Sequence, residues 1–122
     1  MTKAKTLAST TRKRLPETRE SITHKFCVCG HEGYLTVGLY EDGSPGELFI
    51  RMAKVGSTTR GLIESLSIMT SLALQNGVPI SQICEKMRGI RFEPLDDKST
   101  SIVDCIFSWM QKTFIVVEMI EN

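Results

Sequence analysis

The sequence lacks most of the features that would name a chemistry outright. Its 122 residues hold two histidines, His24 and His31, and one tryptophan. Neither histidine has a nucleophile partner evident from spacing, and a triad is recognised by geometry rather than by spacing. The phosphate-loop pattern G-x-x-x-x-G-K-[ST] is absent, and so is the C-x-x-C pair of a redox centre. No apolar run approaches the ~18 residues that span a bilayer, and the N-terminus has no apolar core of a secretory signal. Charge of one sign is missing as well: 15 bases against 14 acids give a net charge of +1, which excludes a supercharged nucleic-acid binder. The length excludes a complete eight-unit βα barrel, which needs roughly 200 residues or more. What remains is a single soluble domain, expected in the cytoplasm, with no membrane contact and with its four cysteines as reduced thiols.

The charge is unevenly placed. Residues 1–20 carry six bases and two acids, while the other residues carry nine bases and twelve acids. The first segment also lacks hydrophobic periodicity. It reads as a flexible basic arm, either a solvated linker or a contact for nucleic acid or another polyanion. The folded domain is expected over 21–122.

From Ile22 to Ala53 the apolar residues alternate. Ile22, His24, Phe26 and Val28 share one side of a first strand. Leu35, Val37 and Leu39 do so in a second, and Leu48, Ile50 and Met52 in a third. Gly30–Gly33 and Asp42–Gly46 read as the turns between them. Short loops between alternating strands predict an antiparallel meander, which needs helices to cover its aliphatic face. From Thr58 the period becomes helical, with Leu62, Ile63, Leu66, Met69 and Ala73 recurring until Asn76-Gly77 stops the run. Ile80, Ile83, Cys84 and Met87 predict a second helix ending at Gly89. Arg91–Glu93 reads as a short extended piece held by Pro94, and Leu95–Ser99 as a loop. Ser99, Thr100 or Ser101 can cap a third helix striped by Ile102, Val103, Ile106, Phe107 and Met110. Thr113–Ile120 is β-prone and could be a strand or prolong that helix. The fold class is therefore α+β: an antiparallel meander of three or more strands packed against two to three helices.

The junction Met52–Gly61 carries the clearest electrostatic signal. A strand ends, Gly56 turns the chain, hydroxyls follow and a helix begins. The first turn of a helix has free N–H groups and a partial positive charge, so acids are favoured there. Here Lys54 and Arg60 flank the turn, and no acid comes before Glu64. That arrangement fits an anion site made by the amides of Gly56, Ser57, Thr58 and Thr59, the hydroxyls of Ser57 and Thr58, and the two bases. The plainer reading is a simple cap with solvated bases.

The outward face of the meander is the second feature. Tyr34, Thr36, Tyr40, Phe49 and Arg51 are expected there, with Lys25, Cys27, Cys29 and His31 on the same side. Aromatic rings beside bases can stack a nucleobase and pair its phosphates. Three aromatics on one sheet face can equally form a subunit interface, so a homodimer or larger assembly is expected. Cys27-Val-Cys29-Gly-His31 invites a metal reading. On a straight strand, however, residues i and i+2 stand about 6.6–6.8 Å apart, too far for thiolates on one zinc with bonds near 2.3 Å. No metal and no cofactor are expected. Cys84 and Cys105 lie on apolar stripes and read as core packing.

Several runs resemble a known family. They are Leu15–Phe26, Gly30–Gly43, Pro45–Glu47, Met52–Lys54, Gly56–Thr58, Ser71–Gln75, Gly77–Pro79 and Arg91–Pro94. Together they resemble the C-terminal accessory domain of cobalamin-dependent (class II) ribonucleotide reductases, the TSCPD domain. Thr100-Ser101-Ile102-Val103-Asp104 keeps the Thr, Ser and Asp of the motif behind that name and replaces its Cys-Pro. The resemblance covers about residues 12–110 and includes none of the catalytic barrel or cobalamin site of those enzymes. It implies a free-standing accessory domain, and reductase activity is not expected. Two functions follow. One is a non-catalytic module that senses, sequesters or delivers a nucleotide or another phosphorylated small molecule. It would use Lys54, Gly56, Ser57, Thr58, Thr59 and Arg60 for phosphate, and Tyr34, Tyr40, Phe49 and Arg51 for the base. The other is an interaction subunit that docks on a ribonucleotide reductase or a related nucleotide enzyme.

Overall fold

A computed structural model describes residues 12–28, 30–90 and 101–115. Cys29, the extended piece at Arg91–Glu93, the 95–99 loop and the end of the β-prone tail fall outside these residues, as do residues 1–11.

The alternating segment forms three strands: β1 (Ser21–Val28), β2 (His31–Leu39) and β3 (Pro45–Met52). They make one antiparallel sheet in the order β1-β2-β3. Pairing of Ile22 with Val37, His24 with Leu35, and Leu35 with Ile50 puts the predicted aliphatic residues on one face. The first connection is tighter than the sequence suggests. Val28 already pairs with His31, and Gly30 takes φ +79°, so His31, Glu32 and Gly33 belong to β2 rather than to a turn. Gly33 is required in the strand because the Phe26 ring lies across it: a Cβ there would stand 2.7 Å from Phe26 Cζ and 2.6 Å from the Arg51 carbonyl. The same register sets His31 opposite Val28, with the inner face and not the outer one. In the second connection Asp42 Oδ1 accepts from the Ser44 N–H at 2.9 Å and the Ser44 hydroxyl at 2.6 Å, and Gly43 has φ +87°. Those hydrogen bonds to the charged form hold the Asp42 carboxyl below its ordinary range.

Three helices follow among the described residues: α1 (Ser57–Gln75), α2 (Ile80–Met87) and α3 (Ile102–Phe114). Gly77 at φ +92° ends α1, and the Val78 N–H returns to the Ala73 carbonyl at 3.0 Å, a closure that only a left-handed residue permits. Ser101 caps α3 by accepting from the Asp104 N–H at 3.0 Å. Asp104 Oδ1 in turn accepts from the Gly89 N–H at 2.6 Å, tying the end of α2 to the start of α3.

The core lies between the inner sheet face and the helices. Leu35, Val37, Leu48, Cys84, Ile106, Phe107 and Met110 have almost no exposed surface. His24 stacks on Trp109 of α3 with centroids 4.6 Å apart. Helix α1 instead runs beside β3. The Leu48 N–H donates to Ser71 Oγ at 2.9 Å, and the Ser71 hydroxyl donates to the Leu48 carbonyl at 3.3 Å. Gln75 Nε2 donates to the Gly46 carbonyl at 3.0 Å. These bonds satisfy part of a strand edge that would otherwise stay unpaired. The apolar residues of α1 therefore divide. Ile63 and Leu74 are buried, whereas Leu62 and Met69, members of the same helical repeat, are 67% and 65% exposed.

Of the segment read as a flexible arm, residues 12–20 are described, and they hydrogen-bond to the domain. The Lys13 N–H donates to the Gln75 carbonyl at 2.7 Å, and Arg19 Nε donates to Glu47 Oε2 at 2.6 Å.

Candidate functional site

The pleat of β2 and β3 turns Tyr34, Thr36, Glu47, Phe49 and Arg51 outward. Because α1 runs beside β3, its near side forms a second wall. Between them lies an open groove of about 1070 Å³, with Tyr34, Phe49 and Arg51 on the sheet side and Arg60, Glu64 and Ile68 on the helix side. Tyr34 pairs with Arg51 across the strands, and Thr36 pairs with Phe49. The two residues are thus diagonal neighbours, their backbones about 7–8 Å apart by sheet geometry. Both are half-exposed, at 48% and 55%. Lys25 lies opposite Tyr34 on its other side, so the ring has a base on each flank.

Arginines mark both ends of the groove. At the end where β3 leaves the sheet stand Arg51 and Arg60. Arg60 Nη2 donates to the Val55 carbonyl at 3.4 Å, and among the described residues no carboxylate pairs with it. At the other end stands Arg12, whose Nε donates to Gln75 Oε1 at 2.6 Å. The acids of the groove are Glu47, which Arg19 neutralises, and Glu64.

Four of the expected ligand residues are therefore brought together: Tyr34, Phe49, Arg51 and Arg60. The others are not in the groove. Gly56, Ser57, Thr58 and Thr59 form the exposed N-terminal turn of α1, where no side chain caps the helix and no acid sits. Lys54 precedes it with φ +56°, also exposed. Tyr40 has the strand parity of Tyr34, but the irregularity at Gly38/Leu39 ends that parity. Its hydroxyl donates to the Lys13 carbonyl, its ring packs on Gly46, and Lys13 Nζ stands 4.8 Å from the ring centre. Burial pushes the Tyr40 hydroxyl above its ordinary value. It lines a separate hollow of about 400 Å³ with Pro45 and Pro79.

Sequence reasoning missed Arg12, Ile68 and Leu72 as groove residues. Nothing local marks them, because their place depends on which side of β3 the helix takes. Among the described residues no three His, Cys, Asp or Glu side chains gather as a metal site, and no helix is long and apolar enough to cross a membrane.

The family described as TSCPD domain matches residues 3–114. The chain belongs to the TSCPD domain family. Its relatives include a vitamin B12-dependent ribonucleotide reductase of Rhodopirellula baltica, 50% identical over 111 residues that make up 85% of this chain and 11% of that protein. The reductase of the same description from Streptantibioticus cattleyicolor is 43% identical over 114 residues, 88% of this chain and 19% of that protein. In Bradyrhizobium diazoefficiens the match is 39% over 104 residues, 79% and 8% respectively. This TSCPD domain thus corresponds to a small segment of each of those reductases. No solved structure matches it. The match to residues 3–114 takes in both walls of the groove and Arg12.

Proposed function

We propose that this TSCPD domain is a non-catalytic binding module for a nucleotide or another phosphorylated ligand, held in the groove between the outer sheet face and α1. One observation carries this reading: two half-exposed aromatic rings, Tyr34 and Phe49, share a groove with Arg51 and Arg60, and no carboxylate among the described residues neutralises either arginine. An exposed aromatic ring offers a stacking face to any base, worth roughly 1–3 kcal/mol per base. An unpaired guanidinium offers a fork to phosphate. In this reading the phosphate lies at Arg51 and Arg60, and the helix N-terminus beside Arg60 adds its partial charge.

The test is ligand-dependent thermal stabilisation followed by calorimetry. A nucleotide at 100 times its Kd should add about 2.7 kcal/mol of stability. Phe49→Ala and Arg60→Ala should each weaken binding roughly tenfold or more. Both side chains are exposed, so the unliganded proteins should melt as the parent does. A panel of mono-, di-, tri- and cyclic nucleotides that produces no stabilisation would overturn the reading.

A second reading is favoured by a different surface. Leu62 and Met69 stand exposed on the side of α1 away from the groove, two turns apart on one stripe. Because the relatives carry this domain within a reductase chain, the stripe fits a contact with such an enzyme. Capture of a class II reductase by the domain, lost in a Leu62→Glu/Met69→Glu variant, would support it.

A further inference from the structure

The groove carries arginines at both ends, with Phe49 and Ile68 among Thr36, Ser67 and Ser71 along its middle. From Glu47 to Met52 the sheet wall runs about 17 Å at roughly 3.3 Å per residue. From Arg60 to Gln75 the helix wall runs about 22 Å at 1.5 Å per residue. Arg51 and Arg60 belong to one end and Arg12 to the other. Tyr34 stands level with Arg51, and Phe49 and Ile68 lie between the two ends.

Arg12 is a built feature rather than a passing surface base. Its Nε donates to Gln75 Oε1 at 2.6 Å. Gln75 is 6% exposed, and its other side-chain atom is engaged by the Gly46 carbonyl at 3.0 Å. The next residue, Lys13, is tied to the Gln75 carbonyl through its own N–H at 2.7 Å. A buried amide with each polar atom committed thus fixes one edge of the guanidinium. The terminal nitrogens of Arg12 are engaged by no acceptor among the described residues. Such a fork is preorganised for an anion at the far end of the groove.

A single nucleotide can stack on one ring and meet one cationic end, but it cannot bridge both. We infer that the groove takes a short single-stranded nucleic acid, its backbone running from Arg60 to Arg12 and successive bases stacking on Tyr34 and then Phe49. Successive bases on residues about 7–8 Å apart keep the strand extended, so the groove accommodates roughly three nucleotides. This rests on the groove being a nucleotide-binding surface, and it adds the class of nucleotide ligand.

The experiment is a titration of the full chain with thymidine monophosphate and with single-stranded oligothymidylates of two, four and six residues, at several salt concentrations. Affinity should rise at least tenfold from monomer to tetramer and change little from tetramer to hexamer. Arg60→Ala should weaken every length, whereas Arg12→Ala should remove most of the gain with length. The salt slope for the hexamer should be about −2 for three neutralised phosphates, and shallower by about 0.7 in Arg12→Ala. Arg12→Lys keeps a charge but gives up the fixed edge, and should recover part of the gain. If the monophosphate binds but lengthening adds less than twofold, or if Arg12→Ala keeps the full gain, the inference is overturned and the nucleotide reading stands. If no length binds, the inference is overturned, and the nucleotide reading falls with it only when the nucleotide panel also gives no stabilisation.

Discussion

Cys84 and Cys27 bear opposite relations to solvent, and their reactivity should follow. Cys84 has no exposed surface and sits in the core, whereas Cys27 is exposed on the outer face of β1. Burial pushes the Cys84 thiol up to about 11, because the thiolate is disfavoured away from water. A thiol that holds its proton more tightly when folded contributes stability in full below its unfolded value. That contribution fades as pH rises through about 11. Unfolding free energy should therefore decline above roughly pH 9, and the decline should be smaller in Cys84→Ala. In the native protein a thiol reagent at neutral pH should modify Cys27 quickly and Cys84 only as fast as the chain opens. Rapid native labelling of Cys84 would contradict its burial. At this scale the sequence is readable: the apolar stripe Ile80, Ile83, Cys84, Met87 already marks Cys84 as inward, and Ser101 is among the caps expected for α3. Tyr40 is not readable in the same way. Its parity points it to the outer face, and only the irregularity at Gly38/Leu39 turns it toward Lys13.

At the scale of elements, the junction of α1 with β3 creates the groove. Alternation and helical period identify both elements correctly, down to Gly77 as the stop of α1. What they do not contain is the side on which α1 packs. The helix is apolar around much of its circumference, with Ile63 and Leu74 inward, Ile68 toward the groove, and Leu62 and Met69 outward. A periodicity with several apolar directions selects no single one. The selection is made by polar residues: Ser71 and Gln75 bond the backbone of Leu48 and Gly46 along the edge of β3. Removing the Ser71 hydroxyl leaves the Leu48 N–H without its partner, which costs about 1–3 kcal/mol when no other acceptor is supplied. Ser71→Ala should therefore lower the unfolding free energy by that order in a denaturant titration. It should also weaken nucleotide binding, because the helix wall of the groove loses its anchor. A variant with unchanged stability would show that the edge bonds do not hold α1 in place.

The whole molecule has a net charge of only +1, so the polyanion proposed above would have to be attracted locally. Arg12, Arg51 and Arg60 line one groove, while Arg19 neutralises Glu47 at its margin. The segment 12–20 belongs to this arrangement through the bonds of Arg12, Lys13 and Arg19. Charge counting alone could show that the N-terminal segment is basic, but not that one of its bases lines a groove. The family likeness likewise fixes what the domain is related to. The groove proposed as the binding surface comes from the sheet face and the helix beside it.

The groove's occupancy can be read directly by nuclear magnetic resonance, following the backbone amides of the labelled chain during titration with a thymidylate hexamer. Saturable shifts are expected at Tyr34, Phe49, Arg51, Arg60 and Arg12, with α2 and the inner-face residues unmoved. Shifts confined to the opposite side of the molecule, or none at millimolar ligand, would contradict occupancy of the groove.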